Sequence, residues 1–325
     1  MTARRPIAGS GVLVTGGAGF IGSHLVDRLL RDGARDVAVI DNLFTGDEAN
    51  LAEALASGQV TLYRDDAELA TSLDYILDAH DIDIVFNCAT KALNYSFVNP
   101  ANAFDINVTV ALNLLEAQRR GRFATLCHFS TSEVYGTAVY EPMDEEHPRN
   151  PTTTYAAGKA AADLAVESYV RMFGIDAFIV RPFNNYGPRQ NHSGPLAGII
   201  PITARRVLTG GTPEIHGDGL QSRDFIYVLD TVDATVKLYD ALPSGQTVNV
   251  STDNQISVAD LVARICGRLG YRGEIVRKPG RHSDVMCHNA SNARVRGMID
   301  YALTPFDKGL DLTLDHYRAA FGERQ

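Results

Sequence analysis

Tryptophan is absent from this chain and cysteine is scarce: Cys88, Cys127, Cys266 and Cys287 are scattered, with no Cys-x-x-Cys pair and no His-rich metal spacing. That distribution argues against a zinc-finger or disulfide scaffold, so the four are expected to be reduced core residues and no metal site is expected. No apolar run reaches the roughly 18 to 20 residues that span a bilayer, and residues Met1 to Ser10 hold no hydrophobic stretch of signal-peptide length. A cytoplasmic protein without a membrane partner is the expectation. Basic charge is also short, with 30 Lys and Arg against 39 Asp and Glu and a net charge of −9, so nucleic acid is not an expected partner. Internal repeats and low-complexity tracts are missing as well. What remains is an apolar content of 45% over 325 residues, ample for one large core or two modest ones.

A β-branched run from Gly11 leads into Gly16-x-x-Gly19-x-x-Gly22, and Ser23 to Arg31 follows with helical spacing. Strand, tight turn and helix in that order let backbone N–H groups approach a pyrophosphate, because glycine has no Cβ to hold the phosphate away and the helix dipole favours anions. A second β-run, Asp36 to Ile40, ends in Asp41, where a carboxylate accepts from ribose hydroxyls and disfavours a 2′-phosphate. NAD is therefore expected, held by Gly16, Gly19, Phe20, Ile21, Gly22, Asp41 and Asn42. Further strands at Val60 to Tyr63, Ile82 to Asn87, Leu126 to Phe129 and Phe178 to Arg181 alternate with helical runs, which implies right-handed crossovers and a parallel sheet. Ligands then gather at the strand C-terminal ends, where Asp65 or Asp66 meets an adenine amine and Cys88, Ala89, Thr90 and Lys91 follow the fourth strand. Asn107 and Pro182 complete the cofactor set.

Tyr155 and Lys159 stand four apart in a segment, Tyr155 to Phe173, that reads as helix, so both lie on one face. An ammonium near a phenol favours the phenolate and pulls its pKa from about 10 towards neutrality, giving a base for a sugar or alcohol hydroxyl. Thr131, at the end of the fifth strand, is placed to hold the same hydroxyl.

After Gln190 the chain turns Gly- and Pro-rich, and a second lobe is expected to begin near residue 186. A helix is expected over Ile199 to Leu208, and Phe225 to Val228 and Thr247 to Val250 read as strands that rejoin the first lobe. Arg205, Arg206, Arg223 and Arg281 are candidate clamps for a diphosphate, since guanidinium donors match phosphate oxygens bidentately. Tyr95, Arg189 and His216 join them as expected substrate contacts.

Several of these stretches together carry a resemblance. They are Thr-Gly-Gly-Ala-Gly-Phe-Ile-Gly at 15 to 22, Ser-Thr-Ser-Glu-Val-Tyr-Gly at 130 to 136, the Tyr155/Lys159 pair, Arg181-Pro182-Phe183-Asn184, and Gly217 to Val228. The chain resembles the extended short-chain dehydrogenase/reductase family acting on nucleotide sugars. The resemblance implies a Rossmann-type, doubly wound α/β domain over residues 1–185, rejoined by about 225–250, and a smaller C-terminal α/β lobe over 186–325 for a UDP-sugar. It also implies Thr131, Tyr155 and Lys159 as oxidation machinery, Asn184 and Arg223 on the substrate phosphates, and a homodimer. Asn87 and Cys88 depart from the His-Leu often found at their place.

The shared first step in such enzymes is oxidation of the sugar's C4 hydroxyl. Thr131-Ser132-Glu133-Val134-Tyr135-Gly136 is similar to the stretch in UDP-glucuronate decarboxylases, where a β-keto acid loses CO2. On that reading Ser132, Tyr95 and a cation, Lys91 or Arg189, meet the carboxylate while Glu133 orients the ring, and the product is UDP-xylose or its 4-keto form. A UDP-N-acetylhexosamine 4,6-dehydratase and a UDP-hexose 4-epimerase remain open. A regulator that senses NAD without turnover is the remote alternative, disfavoured because Thr131, Tyr155 and Lys159 are all kept.

Overall fold

The structure, a computed structural model, describes residues 4–280 and 287–322. Its centre is a seven-stranded parallel sheet in the order Thr247–Val250, Asp176–Pro182, Thr125–Phe129, Ile84–Asn87, Gly11–Thr15, Asp36–Ile40, Val60–Tyr63. Gly11–Thr15 is flanked by the second and fourth of these strands in chain order, so the winding reverses there and opens a crevice beyond the strand C-terminal ends.

The central strands are buried on both faces, which is why they read as near-continuous apolar runs. Their alternation still sorts side chains between two cores. Val12 and Val14 pack with Leu25, Val26 and Leu29 of the helix Phe20–Arg31 and with Val232 and Leu238 of the helix Val228–Ala241. Leu13 and Val85 point the other way, to Ile76, Val110, Leu114 and Val166 of the helices Ala70–Ala79, Pro100–Arg119 and Thr154–Phe173.

Two of those helices matter for the site. Pro100–Arg119 starts at Asn99, whose side chain accepts from the Asn102 N–H, with proline in the first position. Thr154–Phe173 starts at Thr153, whose hydroxyl accepts from the Ala156 N–H at 3.2 Å, and this cap sets Tyr155 in the first turn. The pair approach closely at Gly158, where a Cβ would stand 2.7 Å from the Phe104 carbonyl oxygen.

A separate apolar cluster holds the second lobe. Ile200 and Ala204 of Ile199–Leu208, Leu261 and Ile265 of Val258–Arg268, and Leu310, Leu314 and Tyr317 of Phe306–Gly322 close around Tyr186, Phe225 and Tyr227. The expected return of the chain over 225–250 divides into two fates. Thr247–Val250 does join the main sheet at its edge, beside Asp176–Pro182. Phe225–Tyr227 instead pairs with Asn184–Tyr186 outside it, held by aromatic contacts such as Tyr186 on Tyr227 at 5.7 Å and Phe225 on Phe306 at 6.0 Å. No helix among the described residues is long and apolar enough to cross a membrane.

Candidate active site

The strand ends open on a cleft of about 740 Å³ that runs from the glycine turn to the second lobe. Gly16 sits at φ +68°, and a Cβ there would lie 2.8 Å from the backbone N and Cα of Ala89, so glycine alone lets the two loops meet. The helix Phe20–Arg31 begins at Gly19 without a side-chain cap, and Gly19, Phe20, Ile21 and Gly22 line the cleft with its N-terminal N–H groups. Asp41, buried at the end of its strand, accepts from the N–H groups of Ala18 (3.0 Å) and Leu43 (2.9 Å). Burial raises its carboxyl pKa against those bonds and the charge of Lys91. Asn42 donates to Asp66, and Asp65 accepts from the Ser72 hydroxyl at 2.7 Å; all three line the cleft. An uncapped helix N-terminus, a strand-end carboxylate and two further acids fit the diphosphate, ribose diol and adenine amine of NAD, whereas a 2′-phosphate would meet the charge of Asp41.

Cys88, Ala89, Thr90 and Lys91 line the same wall. Asn107 stands behind it, its Oδ1 accepting from the Thr90 hydroxyl at 2.9 Å and the Lys91 N–H at 3.2 Å, so it shapes the wall without lining it. Lys91 Nζ lies 3.7 Å from the centroid of the Phe44 ring, and its charge reaches Asp41. The Asp41 contact sets that cation within reach of the dinucleotide end of the cleft. Tyr95 packs edge-on against the same Phe44 at 5.1 Å and is not part of the cleft lining.

Thr131, Ser132, Glu133, Tyr155 and Lys159 are brought together in the cleft wall. Thr131 opens the short turn Ser132–Tyr135, its hydroxyl accepting from the Glu133 N–H at 3.3 Å. The Tyr155 backbone N–H donates to Ser96 Oγ at 2.9 Å, which fixes the start of its helix on the neighbouring loop. Burial pushes the phenol up to about 12; the Thr131 and Thr90 hydroxyls act the other way, and the charge of Glu133 adds to the rise. The expected depression of this pKa by Lys159 is not what the geometry gives. Lys159 Nζ donates to the Phe129 carbonyl at 2.7 Å, at the strand end, and burial lowers its pKa to about 8 while Asp163 opposes the fall. One turn of helix does put both residues on one face, but the ammonium reaches for the strand rather than the phenol.

Beneath them lies a buried polar group of side chains. Asp163 accepts from Arg181 at 2.7 Å and from the Ser130 hydroxyl at 2.8 Å, and Arg181 also meets the Tyr135 hydroxyl at 2.5 Å. His128, 3.8 Å from Asp163, is held neutral, its pKa lowered by burial to about 3.

On the second-lobe side, Pro182, Asn184, His216 and Arg223 line the cleft. Arg189 does not: its guanidinium pairs with Asp27 at 2.7 Å and its N–H meets His316 at 3.3 Å, which turns it to the outer face of the first helix. Arg205 is likewise outside the lining, directed at the His192 carbonyl at 3.3 Å. Arg281 lies outside the described residues. The neighbouring Arg206 lines the cleft instead, paired with Glu214 at 2.9 Å, because successive helix residues diverge by about 100° and only one of the two can share the cleft face with Ile202. Glu214 and Gln221 were not singled out in the sequence. Glu214 had a signal, standing two residues before His216 on one face of a short strand.

Comparison with known proteins finds relatives over nearly the whole chain. The model described as the NAD dependent epimerase/dehydratase family matches residues 12–251. A UDP-glucose 4-epimerase of Mycolicibacterium smegmatis is 34% identical over 309 residues, covering 94% of this chain and 98% of that protein. UDP-glucuronic acid decarboxylase 1 of Xenopus tropicalis is 29% identical over 315 residues, covering 94% and 72%. The crystal structure of a UDP-glucose 4-epimerase of Thermotoga maritima with UDP-glucose superposes with a TM-score of 0.89 at 30% identity, covering 95% of this chain and 99% of that one. The glycine turn, the strand-end acid and the Thr-Tyr-Lys group are thus found in a chain that belongs to the NAD-dependent epimerase/dehydratase family of nucleotide-sugar enzymes.

Proposed function

We propose that this protein binds NAD and a UDP-hexose in the cleft and oxidises the sugar at C4, with Tyr155 taking the hydroxyl proton and Thr131 holding the same hydroxyl. The observation that carries the reading is the meeting of Thr131, Glu133, Tyr155 and Lys159 in one wall of the cleft that starts at the glycine turn. NAD, when bound, supplies the hydride acceptor. Residues 1–185, rejoined by Thr247–Val250, hold the dinucleotide, and residues 186–325 hold the UDP moiety through Arg206, His216 and Arg223, with Asn184 facing it from the end of the first lobe. Burial and the Glu133 charge both oppose a phenolate at Tyr155, while the Thr131 and Thr90 hydroxyls favour it.

The second step is read from Glu133. Oxidation at C4 of UDP-glucuronate makes a β-keto acid that loses CO2, and Glu133 returns a proton to C5; UDP-xylose or its 4-keto form is the product. Support comes from the Thr-Ser-Glu-Val-Tyr-Gly stretch and from Glu133 lying close enough for its charge to act on Tyr155. The identity to UDP-glucose 4-epimerases supports a second reading, in which hydride returns to the other face of C4 and Glu133 takes no part. Separate incubations with UDP-glucuronate, UDP-N-acetylglucosamine and UDP-glucose decide between them by mass and by chromatography of epimers. Loss of CO2 from UDP-glucuronate is the expected result; its survival alongside C4 epimerisation or water loss in another substrate overturns the decarboxylase reading.

A homodimer is part of the proposal. Phe104 and Leu112 on one helix, and Leu164 and Met172 on the helix packed against it, expose apolar surface. Sedimentation of the wild type and of Leu164→Glu tests it, with a shift to monomer expected for the variant.

A further inference from the structure

A short turn beside the cleft sends three successive side chains to three different parts of the molecule. It is the 3₁₀ segment Leu93–Phe97, buried at Ser96, and it leads straight into the capped start of Pro100–Arg119. At three residues per turn, neighbours along it diverge by about 120° and residues three apart eclipse. Asn94 and Phe97 accordingly share the face that lines the cleft, with Leu93 beside them. Asn94 Nδ2 also donates to the Ala197 carbonyl at 3.3 Å, on the second-lobe segment that leads into Ile199–Leu208 and its Arg206. Tyr95 turns to the Phe44 ring at 5.1 Å and to the Lys91 ammonium at 5.7 Å. Ser96 turns to the helix Thr154–Phe173, where its hydroxyl oxygen accepts from the Tyr155 N–H at 2.9 Å.

That last bond meets a need the helix cannot meet itself. The first N–H groups of a helix have no intrahelical acceptor. Thr153 takes the one at Ala156, at 3.2 Å, and the first intrahelical bond runs from the Ala157 N–H to the Thr153 carbonyl at 2.9 Å. The N–H of Tyr155 is met from outside, by Ser96. The backbone that carries the phenol is thus tied to a turn whose one face lines the cleft and whose Asn94 bonds the second lobe.

We propose that Ser96 is a positioning residue for Tyr155, and that the turn Leu93–Phe97 is the joint through which a nucleotide held by the second lobe steadies the Tyr155 end of its helix. The effect on turnover rests on the Tyr155 role proposed above; the effect on the backbone does not. No proton moves through Ser96. It fixes one backbone N–H, and with it the reach of the phenol toward a sugar hydroxyl, where a misplacement of about 1 Å is enough to cost about 100-fold in rate.

Amide hydrogen exchange, read residue by residue on the full chain with NAD present, tests the bond directly. In Ser96→Ala the Tyr155 amide should exchange about tenfold faster than in wild type, while Ala157, whose acceptor is the Thr153 carbonyl, stays within about twofold. Adding UDP should slow the Tyr155 amide at least about threefold in wild type and leave it unchanged in Ser96→Ala. Ser96→Thr, which keeps the hydroxyl, should restore wild-type exchange. With the substrate that the incubations above identify, Ser96→Ala should lower kcat about tenfold and leave KM within about twofold. A Tyr155 amide that exchanges equally fast in wild type and Ser96→Ala, or one that UDP leaves unchanged in wild type, overturns the proposal. So does faster exchange along the whole helix, Ala157 included, which marks a merely structural role. Tyr155→Phe keeps the two readings apart. If that variant stays fully active, the function proposed above falls and the exchange result still stands; if it is inactive while Ser96→Ala changes neither the amide nor kcat, the positioning role falls.

Discussion

Replacing Asp163 is the most searching test of how the buried Lys159 is held. Three charged side chains share one dry space: Arg181 and Asp163 are 1% and 0% exposed and 2.7 Å apart, and Lys159 is 2% exposed and reached by the Asp163 charge. Two cations therefore lean on one anion, while the nearby His128 stays neutral. Burial is what lowers the Lys159 pKa, and the Asp163 charge opposes the fall. Asp163→Asn leaves both cations without a counter-charge and weakens the anchor of Ser130. Stranding one partner of a buried pair costs about 3–5 kcal/mol, a large share of the roughly 5–15 kcal/mol that holds a domain folded. Because a guanidinium keeps its proton, relief must come from Lys159, whose pKa should drop from about 8 to the acid side of neutrality. Replacing both partners, Asp163→Leu with Arg181→Met, should recover much of the stability, since an apolar pair needs no desolvation. Urea unfolding of wild type, Asp163→Leu, Arg181→Met and the double variant measures the coupling. A single variant within about 1 kcal/mol of wild type, or a double variant as unstable as the two singles summed, would refute the reasoning.

Other consequences are open to measurement. Tyr155→Phe should keep NAD bound and lower turnover by about 100- to 10,000-fold, checked by absorbance of bound cofactor and by product assay. Arg206→Ala should raise KM at least about tenfold by removing a cleft cation, whereas Arg205→Ala should leave it within about twofold; steady-state kinetics with the preferred UDP-sugar decide. Gly158→Val should cost about 1–3 kcal/mol, seen as a lowered Tm, because the new side chain meets the backbone of Phe104. Acid should destabilise the fold through His24, His128 and His288, held neutral at about 4, 3 and 3. Their unfolded value is near 6.5, so the unfolded chain binds more protons below it: this contribution is complete above pH 6.5 and is lost as pH falls, by about 3 kcal/mol for His24 alone. Equilibrium unfolding at stepped pH follows the loss.

The legible and illegible parts of this molecule divide along a physical line. Periodicity and glycine spacing report on backbone, and they located the strands of the main sheet and the helix Ile199–Leu208, while the first helix starts at Phe20 rather than Ser23. They also put Tyr155 and Lys159 on one helix face. They could not say where a long side chain ends. Lys159 has four methylenes and takes the strand-end carbonyl; Arg189 pairs with Asp27; Lys91 settles over Phe44. Each goes to the partner that best offsets desolvation, and that partner is set by tertiary contacts up to 162 residues away in sequence. The same limit hid His288, which lies 152 positions from Gly136 and reaches its carbonyl only because a short parallel pairing with Ser222–Arg223 carries it under the turn Ser132–Tyr135. In a cleft assembled from two lobes, sequence motifs mark the first-lobe residues, while second-lobe residues that abut them, His288 among them, come from strands too short to carry a pattern.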